Sequence, residues 1–98
     1  MTEPLVLLPA LRTLFTDADV SRLVELRRDL HRHPELSWSE ERTSTRLAEV
    51  LGAVGAVDVA RVARTGVIAR FPGRDRKAPV VAVRGDIDAL PIEEATGL

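Results

Sequence analysis

The chain has no cysteine and no tyrosine, and aromatic residues make up 3% of it. Without thiols there is no disulfide framework, no thiolate metal site and no cysteine nucleophile, a composition that fits the reducing cytoplasm. Imidazole is scarce too, with His31 and His33 as the two histidines. Neither sign of charge dominates, since 14 basic against 15 acidic side chains leave a formal charge of -1. No broad positive field gathers nucleic acid or anionic lipid, so neither is expected as a partner. Long hydrophobic runs are also missing. The apolar stretch Leu5 to Leu8 lies between Pro4 and Pro9, with Glu3 ahead of it and no Lys or Arg before it, which is not a secretory signal. Nothing approaches the roughly 18 to 20 consecutive apolar residues that a membrane span needs. At 98 residues, 45% hydrophobic and 30% charged, the chain is one domain at most.

What is present begins with helical periodicity. Val20, Leu23, Val24, Leu30 and His31 recur at spacings near three and four, with Leu26 beside them and Arg22, Glu25, Arg28, Asp29 and Arg32 outside. Thr16, Asp17 and Asp19 offer capping oxygens and negative charge at the start, and Pro34 pushes His33 out of the helical region. These signals predict a helix over about 18–32. Ser37 followed by Glu40 has the spacing of a capping box, and Leu47, Val50, Leu51 and Val54 form an apolar stripe that ends at Gly52 and Gly55. A second helix is predicted there. The period then shortens: Val57, Val59 and Val62 read as one strand, Val67 to Phe71 as another, with the link around Arg64 to Gly66 suggesting a hairpin. After the polar loop Pro72 to Lys77, the run Val80-Val81-Ala82-Val83 is apolar on both faces, as a covered central strand would be. The predicted class is α/β, in the order helix, helix, strand, strand, strand.

Chemistry concentrates at Asp86-Ile87-Asp88, where the last strand stops. In an extended chain, side chains two apart share a face, and ligands of open α/β sheets bind at the carboxyl ends of strands. Two carboxylates there can hold a cation or orient a ligating histidine; equally, the segment reads as a turn whose Asp86 neutralises Arg84. Gly85 between Arg84 and Asp86 reads either as letting the backbone pass close to a neighbour or as a bulge, the first being favoured by the aspartates it precedes. His31 and His33 cannot share one ion on a helix, because residues two apart are separated by roughly 200 degrees. His31 reads as a packing histidine on the apolar stripe and His33 as a partner of the helix C-terminus. Glu40 and Glu41 read as first-turn charges, and Trp38 as an apolar staple for the turn between the helices. The loop from Arg70 to Lys77 is basic but lacks interleaved aromatics for base stacking, so it reads as a solvated loop.

Two stretches carry a resemblance. Arg27-Arg28-Asp29-Leu30-His31-Arg32-His33-Pro34-Glu35-Leu36, with Glu40 to Thr43, and Val83-Arg84-Gly85-Asp86-Ile87-Asp88-Ala89-Leu90-Pro91-Ile92-Glu93-Glu94 resemble the N-terminal part of the aminoacylase and carboxypeptidase family of dinuclear metallohydrolases. The amidohydrolase branch, with hippurate hydrolases and N-acyl-amino-acid amidohydrolases, is the closer match. The resemblance implies a helix-flanked sheet, cleavage of the amide of N-acyl amino acids, and two divalent metals, zinc or manganese, that activate a water. It places Asp86 and Asp88 on the family's acidic pair and Arg84 on the arginine before it. Asp88 is then expected to orient a metal-binding side chain rather than to bind metal itself.

The resemblance covers Val20 to Leu98. Residues 1–17 are read as an N-terminal extension and 18–98 as the first segment of a catalytic domain, so that 1–98 is a single partial domain. A dinuclear site needs about five or more protein ligands, which two histidines and no cysteine do not supply. The expectation is therefore a fragment without metal of its own and without activity, whose parent acts on a small N-acyl amino acid in the cytoplasm. The alternative is a complete, non-catalytic module that associates with itself or an intact homologue through an exposed strand edge.

Overall fold

The computed structural model describes residues 8–92. The expectations for Leu5 to Leu7, Glu93 and Glu94 lie outside the described residues. Helix α1 spans Pro9–Arg12, α2 Asp17–Arg32 and α3 Glu41–Ala53; strand β1 spans Asp58–Val62 and β2 Gly66–Arg70. The chain divides into two compact units, one holding α1 and α2, the other holding α3, the two strands and the segment after them.

In the first unit, α2 begins on a reciprocal cap. The Thr16 N–H donates to Asp19 Oδ2 at 3.0 Å, and the Asp19 N–H donates to Thr16 Oγ1 at 3.1 Å. The Thr16 N–H and then its hydroxyl hold the Asp19 carboxyl below its ordinary range. The helix stops at Arg32, just before His33 and Pro34, where the sequence places its end. Val20, Val24, Leu26 and Leu30 are half-buried, as their spacing implies, whereas Leu23 and His31 are exposed. The packing role read for His31 is thus not what the fold makes of it.

In the second unit, α3 closes in a Schellman motif. The Ala56 N–H reaches back to the Leu51 carbonyl at 3.2 Å and the Gly55 N–H to that of Gly52 at 3.3 Å, while Gly55 sits at φ 105°. That left-handed residue turns the chain into β1, and the Val57 N–H then bonds the Arg70 carbonyl at 2.9 Å. The strands pair antiparallel with Val59 opposite Ala69 and Val62 opposite Gly66. Ala63 and Arg64 in the three-residue link both have positive φ, 48° and 72°, and carry the reversal between the strands. Period two puts Val59, Arg61, Val67 and Ala69 on one face of the hairpin. This face meets α3, since the Arg61 guanidinium donates to Thr45 Oγ1 at 3.0 Å. Val59, Val67 and Ala69 are half-buried beneath it.

Two expectations fail here. The third strand does not form: Val80–Val83 carries no strand pairing and the sheet consists of β1 and β2. Val80, Val81 and Val83 are 97%, 82% and 96% exposed. β-branched residues favour extension, but a strand exists only through ladder bonds to a neighbour, and this run pairs with neither β1 nor β2. The order is therefore helix, helix, helix, strand, strand among the described residues, still α/β. Trp38 is no staple either, being 64% exposed. No apolar side chain among the described residues is buried; the buried ones are Glu40, Thr43, Ser44 and Thr65. No described helix is long and apolar enough to cross a membrane.

Candidate functional site

The two motif stretches meet at Glu35. Between α2 and α3 the chain makes a turn in which the Ser39 N–H bonds the Leu36 carbonyl at 2.9 Å. Trp38 occupies the third position of this turn at φ 69°, a conformation that a type II turn requires and that a bulky side chain seldom adopts. The reversal lays the Glu35 carboxylate over the first turn of α3. Its Oε2 accepts the Arg42 N–H at 3.1 Å and its Oε1 the Thr43 N–H at 2.5 Å. The capping box expected at Ser37 and Glu40 does not form, because Glu40 stands at the N-cap position without a side-chain cap bond. A carboxylate from outside the helix satisfies the orphan donors instead. Partial burial pushes the Glu35 carboxyl up, but the hydroxyl and N–H of Thr43, the N–H of Arg42 and the Arg42 charge outweigh it and hold the group below its ordinary value.

The same residue holds the second motif. The Ala89 N–H donates to the Glu35 carbonyl at 2.8 Å. Just before it, Asp86 and Asp88 are exposed and Ile87 is half-buried between them, the alternation of an extended segment. Arg84 pairs with Asp86 at 3.2 Å, the neutralising contact that the sequence left open beside a ligand role. With side chains 90% and 74% exposed, this pair adds little stability. Among the described residues, no group of three or more His, Asp and Glu side chains is placed to hold a metal ion. Asp86 and Asp88 thus stand together on one segment and belong to no such cluster among the described residues.

Glu41 lies in the first turn of α3, as the sequence implies, and also accepts from Arg64 across 3.5 Å. One turn behind, Glu40 Oε1 and Ser44 Oγ are buried without a hydrogen-bond partner. An open depression of about 440 Å³ lies along α3, lined by Glu41, Arg42, Thr45, Arg46 and Glu49. Its walls carry charge of both signs and no large apolar side chain, unlike a typical small-molecule pocket. Neither aspartate lines it.

Sequence comparison decides the ancestry. The chain is 48% identical over 80 residues to an N-acetylcysteine deacetylase of Bacillus subtilis, the match covering 80% of this chain and 20% of the relative. It is 44% identical over 77 residues to a probable hydrolase of Synechocystis, covering 79% of this chain and 20% of that protein. To an N-acyl-L-amino acid amidohydrolase of Geobacillus stearothermophilus the identity is 41% over 87 residues, 81% of this chain and 23% of that one. Over the matched residues the chain is a homologue of these amidohydrolases and corresponds to a fragment of one. It spans about a fifth of the length of these curated relatives. No family model matches it, and no solved structure does. The resemblance first seen in the His33-Pro34-Glu35 and Asp86-Ile87-Asp88 stretches is thereby supported over four-fifths of this chain. Glu35 lies within that resemblance, and the signal for its capping role is its place six residues ahead of α3, a carboxylate near a helix N-terminus.

Proposed function

We propose that residues 18–98 form the first segment of the catalytic domain of a metal-dependent amidohydrolase that cleaves the amide bond of a small N-acyl amino acid in the cytoplasm. The 48% identity to a deacetylase over 80 residues carries this reading. The meeting of both motif stretches at Glu35 supports it. The described residues do not by themselves fit a metal pair, so no step of the reaction is assigned to a metal on this chain. Asp86 and Asp88 instead serve as supports, orienting metal-binding side chains contributed by the rest of such an enzyme, zinc or manganese being the metal expected there. The 98-residue chain by itself is inactive on this reading.

The test is hydrolysis of N-acetylcysteine and of hippurate, with zinc or manganese added. It is run on the purified 98-residue chain and on the product of the coding frame read past Leu98. Activity of the longer product alone is expected. Turnover by the 98-residue chain would overturn the inactivity, and a longer product without a cluster of metal-binding side chains would overturn the parentage.

The exposure of Val80, Val81 and Val83 favours a second reading, a module that associates with another copy through this extended run. Light scattering on the eluted chain distinguishes a discrete folded dimer from a monomer.

A further inference from the structure

We propose that Glu35 is a positioning residue that couples the start of α3 to the Asp86–Asp88 segment, so that the place of the two aspartates is set by a carboxylate that is not one of them. The inference rests on the amidohydrolase reading only for what the aspartates do, and not for the coupling itself.

Three observations carry it. From His33 to Glu40 there is neither helix nor strand, so nothing periodic fixes this stretch to the rest of its unit. Its firm attachment is the Glu35 carboxylate, which grips two successive N–H groups of α3, those of Arg42 and Thr43, together with the Thr43 hydroxyl. Residues 71–92 likewise lack helix and strand. Among the described residues, the backbone bond that ties them to a distant part of the chain is Ala89 N–H to Glu35 carbonyl, at 2.8 Å. The other two backbone bonds in that stretch, Ala78 to Asp75 and Ile92 to Leu90, are local.

Glu35 therefore works at both ends. Its side chain is anchored by charge-assisted bonds on a helix terminus whose dipole favours an anion. Its carbonyl, a few bonds away, presents an acceptor to the residue directly after Asp88. Loss of the anchor frees the carbonyl to move with an otherwise irregular segment, and Ala89 goes with it. A glutamine of the same size cannot replace the anchor. It offers one acceptor oxygen, and its amide N–H₂ would face a backbone donor.

The experiment is amide hydrogen exchange read by NMR on the 98-residue chain and its Glu35→Gln variant. The expected result is loss of protection of about tenfold at the Arg42 and Thr43 amides and, in parallel, at the Ala89 amide. The Val57 amide in the hairpin should stay unchanged. If Ala89 keeps its protection while Arg42 and Thr43 lose theirs, Glu35 is only a cap and the proposal is wrong; unchanged exchange at all three sinks it as well. Should Glu35→Gln unfold the chain, Thr43→Val removes one hydroxyl donor and keeps the packing. A smaller but parallel loosening of Ala89 is then required, and its absence overturns the coupling. Because no activity is measured, failure here leaves the amidohydrolase reading standing, and failure of that reading leaves this result intact.

Discussion

Gly66→Ala tests the hairpin most directly. A Cβ at position 66 would lie 2.8 Å from the Val62 carbonyl oxygen and 3.2 Å from Val62 Cγ2. Even weak C–H···O contacts keep carbon and oxygen about 3.3 to 3.6 Å apart, so the strands must separate by about half an ångström at this pair. The obstructing atom is backbone, in the pair that closes the link through Ala63 and Arg64, and it has no rotamer to escape into. Overpacking of this kind costs about 1 to 3 kcal/mol. Alanine in place of glycine restrains the unfolded chain and returns about 0.4 to 1 kcal/mol. The net is about 0 to 2.6 kcal/mol against the hairpin, centred at about 1.3, which corresponds to about tenfold faster amide exchange across β1 and β2. Gly52→Ala is the control, since a Cβ there meets nothing within 4 Å inside α3, and it should stabilise by about 0.5 to 1 kcal/mol. Exchange in Gly66→Ala as slow as in the parent chain would refute the close approach, and with it the register of Val62 opposite Gly66.

Other outcomes follow from single residues. Ser44→Ala removes a buried hydroxyl that has no partner, so thermal unfolding should show a neutral or stabilising change of up to about 1 kcal/mol, where a satisfied hydroxyl would show a loss. The Glu35 carboxyl is held below its ordinary value of 4.5, so its cap is fully present above that pH and is lost as pH falls through the lower folded value. The Thr43 amide shift should titrate with a midpoint below 4.5, and a midpoint at or above it contradicts the bonding described. Val81→Lys places a charge in the exposed apolar run and should reduce self-association in light scattering without changing the helical circular dichroism. An unchanged association state would show that this run is not the contact.

Local chemistry was legible wherever the interacting groups lie within a few residues. Thr16 and Asp19 cap α2, Pro34 limits it, Gly55 closes α3, and β1 and β2 form a hairpin about the link before Gly66, all as the residue types and spacings imply. The paired aspartates could be named from their place after an apolar run, and their partner Arg84 lies two residues away. Misreadings arose where spacing alone was ambiguous. Ser37 and Glu40 have capping-box spacing, but the Leu36–Ser39 turn with Trp38 left-handed brings Glu35 to the helix instead.

The sequence by itself determined α2, α3, the hairpin and the amidohydrolase ancestry, because caps, turn residues and periodicity act through neighbours along the chain; the short α1 carries no such periodicity. Tertiary structure alone decided that Glu35 caps α3 while its carbonyl receives Ala89, a contact across 54 positions that no local pattern encodes. It alone also decided the fate of Val80 to Val83. Propensity can make a segment extended, but only a neighbouring strand with free N–H and C=O groups can make it part of a sheet.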